Sequence, residues 1–276
     1  MIKQIINKIT RDEYGRPSGI IAVDKPVGKS SHDMVDMVRK ELGTRKVGHA
    51  GALDTFASGL LLILIGKDTK KADSLLAANK SYQARILLGM STDTQDTEGV
   101  VIKQVDDTEV AEADCQTVLQ KFVGVQDQFV SVYSSVKVSG NKLRVLMRDN
   151  RYNSRIDYFD EKKVIKFSPK EENPNLHEFE VEVPRKKINI SGIELMKVEL
   201  LKKSEIARYF PKSEQLPKIA TLMDIVVHCS KGTYIRQLAE DIGASLGLPA
   251  VLVELRRTQI SDVVIADAVD IHKLSN

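Results

Sequence analysis

The unbroken aliphatic run Leu60–Ile65 gives one stretch of this 276-residue chain little choice of surroundings. Six leucines and isoleucines in a row read as a buried strand, and the run is far too short to span a bilayer. It anchors the segment just before it, Gly48–Gly59, where three glycines and three alanines surround one acid, Asp54, and one imidazole, His49. Small residues of this kind let a bulky ligand approach the backbone. An isolated Asp beside glycines is also a common turn former, so Asp54 alone does not settle its own role.

The rest of the chain alternates strand and helix signals. Gly19–Val23 reads as a strand ending at the turn Asp24-Lys25-Pro26. Ser30 and Asp33 resemble a capping box, followed by Met34, Val35, Val38 and Leu42 at helical spacing up to Gly43. Helices are expected over Thr69–Ala78 and Glu109–Phe122, the second closed by Gly124. In Tyr82–Leu88, Tyr82, Ala84, Ile86 and Leu88 face one way, which points Tyr82 to the apolar side. Ser91–Gly99 is a polar loop, and Gly140-Asn141 marks a hairpin turn. Leu222–Cys229 is a strand, Ser230–Thr233 a turn, and Ile235, Leu238, Ala239, Ile242 and Leu246 an apolar helical stripe ended by Gly247. Two stretches, 148–181 (with an Asn173-Pro174-Asn175 turn) and about 202–218, carry dense mixed charge without a chemical motif, and read as surface insertions.

Composition excludes more than it selects. Lys and Arg number 41 against 38 Asp and Glu, a formal charge of +3 that permits a polyanionic partner without requiring one. Basic charge gathers early, at Lys25, Lys29, Arg39, Lys40, Arg45 and Lys46. On one face these residues can hold phosphates, although a solvated helix face would look the same. Cys115 and Cys229 are far apart and read as reduced thiols. The first residues lack the features of a signal peptide, so the cytoplasm is expected. Gly28-Lys29-Ser30 fails as a phosphate loop because position 23 is Val23, and Gly66-Lys67-Asp68 fails because Asp68 stands where a hydroxyl should hold magnesium. The five histidines show no ligand spacing. Arg236 sits at a helix start, where acids are preferred, so it either lies on the surface or leaves to pair with a buried carboxylate.

Six motifs stand in one order: Asp24-Lys25-Pro26-x-Gly28-x-Ser30, Val47-Gly48-His49-x-Gly51-x-Leu53-Asp54-x-x-Ala57-Ser58-Gly59, Lys80-x-Tyr82, Asp93-Thr94-x-Asp96-x-x-Gly99, Cys229–Arg236 and Leu255-Arg256-Arg257-Thr258. Together, across Gly19–Thr258, they resemble the bacterial tRNA pseudouridine-55 synthase family of the TruB type. The resemblance implies an α+β pseudouridine synthase fold, a mixed and largely antiparallel sheet with flanking helices and a central RNA-binding cleft. It implies a cytoplasmic monomer that acts on the T-arm stem-loop of tRNA without metal, membrane or organic cofactor. Asp54 matches the catalytic nucleophile and Arg236 the arginine that pairs with it. Tyr82 matches a tyrosine that stacks on the flipped uracil, His49 a histidine that fills the gap the base leaves, Leu255 a residue packing against that base, and Lys25 a lysine supporting the pocket. Base flipping explains these residue types, because a base inside a folded loop cannot otherwise be reached.

The chain departs from the family pattern in places. Thr55 replaces the usual Pro after the catalytic Asp, which should change the loop locally without abolishing activity. In Val130–Lys137 the family's prolines are missing, and Leu146-Met147-Arg148-Asp149-Asn150 replaces the Ala-Arg-x-Gly of an RNA-gripping flap. One catalytic domain over 1–276 is expected, with insertions at 148–181 and 202–218 and the family's C-terminal PUA-like RNA-binding module absent or vestigial. Two rivals follow: a weakly catalytic RNA-binding or tRNA-folding protein on this scaffold, and a glycosidic-bond hydrolase. The second lacks the paired acid–base carboxylate such enzymes use.

Overall fold

The computed structural model describes residues 2–159, 162–171 and 175–274, so Asn173 and Pro174 of the expected turn lie outside the described residues. The first strands, β1 (Lys8–Arg11) and β2 (Pro17–Lys25), lead into α1 (Ser31–Leu42), β3 (Val47–Ala50) and β4 (Ser58–Ile65). The aliphatic run fixes the place of β4, which is covered on both faces. Leu61, Ile63 and Ile65 pack with Val23 and with Met34, Val35 and Val38 of α1. Leu60, Leu62 and Leu64 join Ile20, Ala22 and Leu75 on the opposite side. The Ser30–Asp33 capping box starts α1 and a left-handed Gly43 ends it.

The helix expected over Thr69–Ala78 forms differently, as a 3₁₀ turn, Gly66–Lys71, followed by a short α2 (Ala72–Leu76). The hydroxyls of Thr69 and Ser74 donate back to the carbonyls of Gly66 and Lys71, and this competes with a continuous helix. Next come β5 (Lys80–Leu88), β6 (Met90–Thr92), β7 (Val101–Gln104) and α3 (Glu112–Gln120). The loop read over Ser91–Gly99 thus gives up its first two residues to β6, and α3 is shorter than the Glu109–Phe122 pattern suggested. After β8 (Gly124–Phe129), the hairpin of β9 (Lys137–Val138) and β10 (Asn141–Lys142) leads to α4 (Leu143–Met147). Its turn is one residue earlier than expected. Ser139 and Gly140 take the left-handed conformations, and Asn141 already pairs with Val138, the geometry of a two-residue primed turn.

The first charged stretch is folded. It supplies β11 (Tyr152–Phe159), β12 (Lys162–Pro169) and β13 (Phe179–Glu182), an antiparallel sheet of their own. Ile165, Phe167 and Val181 on its inner face pack against Val130, Val132 and Leu143. Charge dominates only the other face, which hides this alternation in the sequence. The remaining elements are β14 (Arg185–Lys202), α5 (Lys203–Ile206), β15 (Ile219–Cys229), α6 (Ile235–Ser245), β16 (Ala250–Ile260) and β17 (Val263–Val264). The second charged stretch buries Phe210 and Leu216 beside Leu87, Leu222 and Val251.

The main sheet runs β1-β2-β4-β16-β5-β15-β14-β8, with β3 also on β4 and β17 on β16. Its strand pairs are antiparallel except for a short parallel pairing of β16 with β4 at Arg256–Ser58 and Arg257–Gly59. Because β2 occupies one edge of β4, β3 and β16 share the other. The Asp54 loop lies where β3 gives way to β16. Helix α6 covers the face that carries Tyr82, Ala84, Val227 and Leu255, burying Ile235, Leu238, Ala239 and Ile242 against them.

Candidate active site

Hydrogen bonds to its main chain hold the Asp54 loop from three directions. From α1, the Ser31 hydroxyl accepts from Leu53 N at 2.8 Å and donates to Leu53 O at 3.2 Å. Gly28 N donates to Thr55 O at 2.9 Å, and Ala57 N to Asp54 O at 3.2 Å. From β16, Arg257 donates through Nε to Leu60 O at 2.7 Å and through Nη2 to Gly51 O at 2.9 Å. Gly59 is required where β16 crosses. Its φ is +109°, and a Cβ there would stand 2.3 Å from Arg257 O and 2.6 Å from Arg257 N. Thr55 is held by its carbonyl, a group proline also has.

This loop presents Asp54 with its side chain 45% exposed, facing outward, while its other side meets a guanidinium. Arg236 is the second residue of α6 and is buried. Its Nε lies 2.9 Å from Asp54 Oδ2, and its Nη1 lies 3.2 Å from Asp96 Oδ2 and 3.0 Å from Thr94 O. The misfit at the helix start is thereby explained: Arg236 spends its charge on two carboxylates and a carbonyl. Asp96 is set in turn by the Thr94 hydroxyl and by Glu98 N, and Leu252 N of β16 bonds the neighbouring Gln95 O. Burial raises the Asp96 carboxyl above its ordinary value, against the opposing pull of Arg236.

Tyr82 stands on β5 with Arg257 beside it in register on one side and Val227 on the other. Burial keeps its phenol pKa above the ordinary value, although the Arg257 charge and hydrogen bond work the other way. The ring is therefore a neutral donor at physiological pH. Leu255 is buried in the same apolar cluster as Leu53, Phe56 and Tyr82. Lys25 lies wholly inside, its Nζ donating to Pro26 O at 2.9 Å and Lys29 O at 2.6 Å. Burial pulls this ammonium below the ordinary lysine range, while the charges of Asp54 and Glu98 act to restore it. Lys25 accordingly drops out of the early basic patch. Arg39 is partly spent as well, on Asp36 and Val47 O.

His49 is less tightly joined to this group. It lies on β3 opposite Ile63, and its buried Nδ1 has no hydrogen-bond partner among the described residues. Burial lowers its pKa, helped by Arg257 and His32, which favours the neutral imidazole. The structure thus sets Arg236 against Asp54, places Lys25 and Tyr82 within electrostatic reach of that carboxylate, and packs Leu255 in one apolar cluster with Leu53, Phe56 and Tyr82, with His49 five residues upstream on β3.

Two residues were missed as parts of the site. Asp96 and Arg257 both stand inside quoted motifs, yet neither carried a role. The one local signal for Arg257 is strand alternation, which sends Arg256 outward to Asp24, 2.6 Å away, and Arg257 inward on the side of Leu255. Among the described residues, no group of three or more His, Cys, Asp or Glu side chains could hold a metal ion. The arrangement offers one oriented carboxylate, a neutral phenol and an apolar wall, a combination suited to nucleophilic attack on a planar ring or its sugar.

Residues 39–183 match the family model of the TruB family pseudouridylate synthase N-terminal domain. Among curated proteins, the tRNA pseudouridine synthase B of Staphylococcus saprophyticus is 37% identical over 88% of this chain and 66% of its own. That of Geobacillus thermodenitrificans is 33% identical over 93% and 71%, and that of Corynebacterium efficiens 31% identical over 94% and 72%. The chain therefore spans about two thirds of the length of these relatives. Among solved structures, a chain of the archaeal box H/ACA sRNP Nop10–Cbf5 complex aligns at a TM-score of 0.54 and 21% identity, over 93% of this chain and 52% of that one. A chain of an H/ACA RNP bound to a substrate RNA containing 2′-deoxyuridine gives 0.52 and 21%, over 92% and 55%. These two likenesses concern the fold: a mixed, mostly antiparallel sheet with few helices. From the family match and the identity to its curated relatives, this chain belongs to the TruB family of pseudouridylate synthases.

Proposed function

We propose that this chain converts uridine-55 in the T-arm loop of tRNA to pseudouridine, with Asp54 as the nucleophile. The 2.9 Å pairing of Asp54 with a buried Arg236 carries the reading, because it orients a single carboxylate whose side chain stays 45% exposed. The target nucleotide leaves its stack and comes against that carboxylate. Tyr82 stacks on the uracil, Leu255 packs against it, His49 fills the gap left in the loop, and Lys25 supports the pocket wall from below. Asp54 bonds to the nucleotide, at its sugar or its base, as the N1–C1′ bond breaks, and is released again as a free carboxylate by the time the product forms. The base turns, a carbon–carbon bond forms between C5 and C1′, C5 loses its proton and N1 gains one. The product is an isomer of the substrate, so the reaction has no net change of oxidation state and consumes no co-substrate.

The chain acts as a cytoplasmic monomer and a single catalytic domain to which the two charged stretches are additions. No helix among the described residues is long and apolar enough to cross a membrane. Exposed basic residues such as Lys29, Lys40 and Lys46 contact phosphates, and the shape of the RNA supplies much of the selectivity. Incubating the protein with unmodified tRNA and mapping pseudouridine tests the reading. Conversion of one T-arm uridine that Asp54→Asn abolishes is the expected result. Binding without conversion would make the chain an RNA-binding protein, and free uracil would make it a hydrolase.

A further inference from the structure

Behind the Arg236–Asp54 pair lies a cluster of charge that the proposed chemistry does not use. Lys163 stands on the inner face of β12, in the first charged stretch, with its side chain 1% exposed. Its Nζ lies 3.0 Å from Gln237 Oε1 and 3.1 Å from Glu240 Oε2, both on α6. Gln95 Nε2 donates to the same two oxygens at 3.0 and 2.6 Å, and the Ser131 hydroxyl donates to Gln95 Oε1 at 3.1 Å. Gln237 Nε2 donates to Glu240 Oε2 at 2.7 Å and to Asp241 Oδ1 at 2.8 Å. The Tyr158 hydroxyl completes the shell by donating to Glu240 Oε1 at 3.1 Å.

A buried ammonium is strongly unfavourable unless paired and hydrogen-bonded, and here it is both. Burial works to raise the Glu240 carboxyl, but the Lys163 charge and the surrounding donors outweigh it and hold the group below its usual range. Both ends of the network adjoin the catalytic pair. Gln237 follows Arg236 in the chain, and Gln95 precedes Asp96, the second carboxylate on the Arg236 guanidinium. Gln95 also adopts a left-handed φ of +66°. A buried non-glycine residue keeps that conformation only where its surroundings over-determine it.

We propose that Lys163 is a positioning residue for the isomerisation: through Glu240, Gln237 and Gln95 it fixes the backbone on both sides of the Arg236 guanidinium, and so the aim of Asp54. The alternative is that Lys163 only docks the three-stranded sheet, which would affect stability and RNA grip but not the rate of the bound complex. The proposal rests on Asp54 as the reacting group. The test therefore pairs single-turnover conversion of unmodified tRNA with amide hydrogen exchange on the free protein. If the wild type itself converts no tRNA, the functional reading falls, while exchange still reads the positioning.

Lys163→Met is expected to slow single-turnover conversion about tenfold or more, with the tRNA dissociation constant within about twofold. Exchange should rise over residues 92–99 and the first turn of α6. Adding Glu240→Gln should bring the rate back to within about threefold. The substituted amide can still accept from Gln95 and Gln237 through oxygen and donate to the Tyr158 hydroxyl, so no charge is left buried alone. Gln95→Met keeps the Lys163–Glu240 pair, and so keeps folding, but cuts its tie to the Asp96 loop; a slowing of about fivefold is expected. This variant decides the matter if Lys163→Met does not fold. A wild-type rate in Lys163→Met or Gln95→Met overturns the proposal. So does a loss that appears equally in tRNA affinity and is not recovered in the double variant.

Discussion

Around Asp54 the chain is gripped by its own main chain: Gly59 lies against the backbone of Arg257, Leu53 binds the Ser31 hydroxyl, and the Gly51 and Leu60 carbonyls accept from the Arg257 guanidinium. Across α6, in β11–β13, the ammonium of one buried lysine is held by side chains alone, those of Gln237 and Glu240, with Gln95 donating to the same oxygens. The first region has apolar β4 beneath it, and its geometry cannot change without moving strands. The second depends on compensated charge, so a single uncompensated group alters it. The same helix, α6, is the boundary between them, and it carries Arg236 facing one way and Gln237 and Glu240 facing the other. Rigid packing thus places the carboxylate, and in the proposed account a polar network sets the arginine paired with it.

The sharpest way to break the comparison is at Gly59. Gly59→Ala forces a Cβ onto backbone atoms that cannot swing aside, in a conformation L residues rarely adopt. A loss of roughly 3 kcal/mol or more is expected, read as a shift of the denaturant midpoint. A well-folded variant of near wild-type stability would show that the floor is softer than the packing implies.

A smaller and pH-dependent effect is expected in the polar region. Burial, against the Gln237 hydrogen bond and together with the Glu240 charge, pushes Asp241 up to about 6 from the ordinary 3.8. A carboxyl that holds its proton more tightly when folded favours folding at low pH, and that contribution is lost as pH rises through about 6. Asp241→Asn keeps an acceptor for Gln237 and removes the charge. It should be more stable than wild type at pH 7 by roughly 1–3 kcal/mol, with the difference fading towards about pH 4. Thermal melts at the two pH values check this, and a variant less stable at neutral pH would reverse the sign of the account.

The smallest effect is expected on the outer face of the same sheet. Arg155 is 73% exposed and pairs with Asp157 at 2.9 Å. Exposed pairs of this sort contribute little, so Arg155→Ala should leave the melting midpoint unchanged within error. A clear drop would mean that the outer charges also shape the sheet.

How much of this could be read from the chain depends on how local the signal was. The strand β4, the capping box of α1 and the inward face of β5 were legible because covalent neighbours carry the pattern. Arg236 announced itself as a residue at odds with its helix position. Arg257 showed only an inward direction by alternation and no partner, since a buried arginine bonded to carbonyls leaves none in the sequence. The charged stretch concealed a sheet because Lys163, Ile165 and Phe167 alternate with residues on the solvent side, and the lysine's partner lies on α6. The helix expected over Thr69–Ala78 failed for a local reason, the back-bonding hydroxyls of Thr69 and Ser74.

The central claim, that Arg236 aims Asp54 for attack, is tested most directly by single-turnover conversion of unmodified tRNA with Arg236→Met. A slowing of about a hundredfold or more is expected, with tRNA binding little changed, as for the loss of one preorganised charged partner. A rate within about twofold of wild type would contradict the account, because it would leave the carboxylate equally effective without the guanidinium held against it.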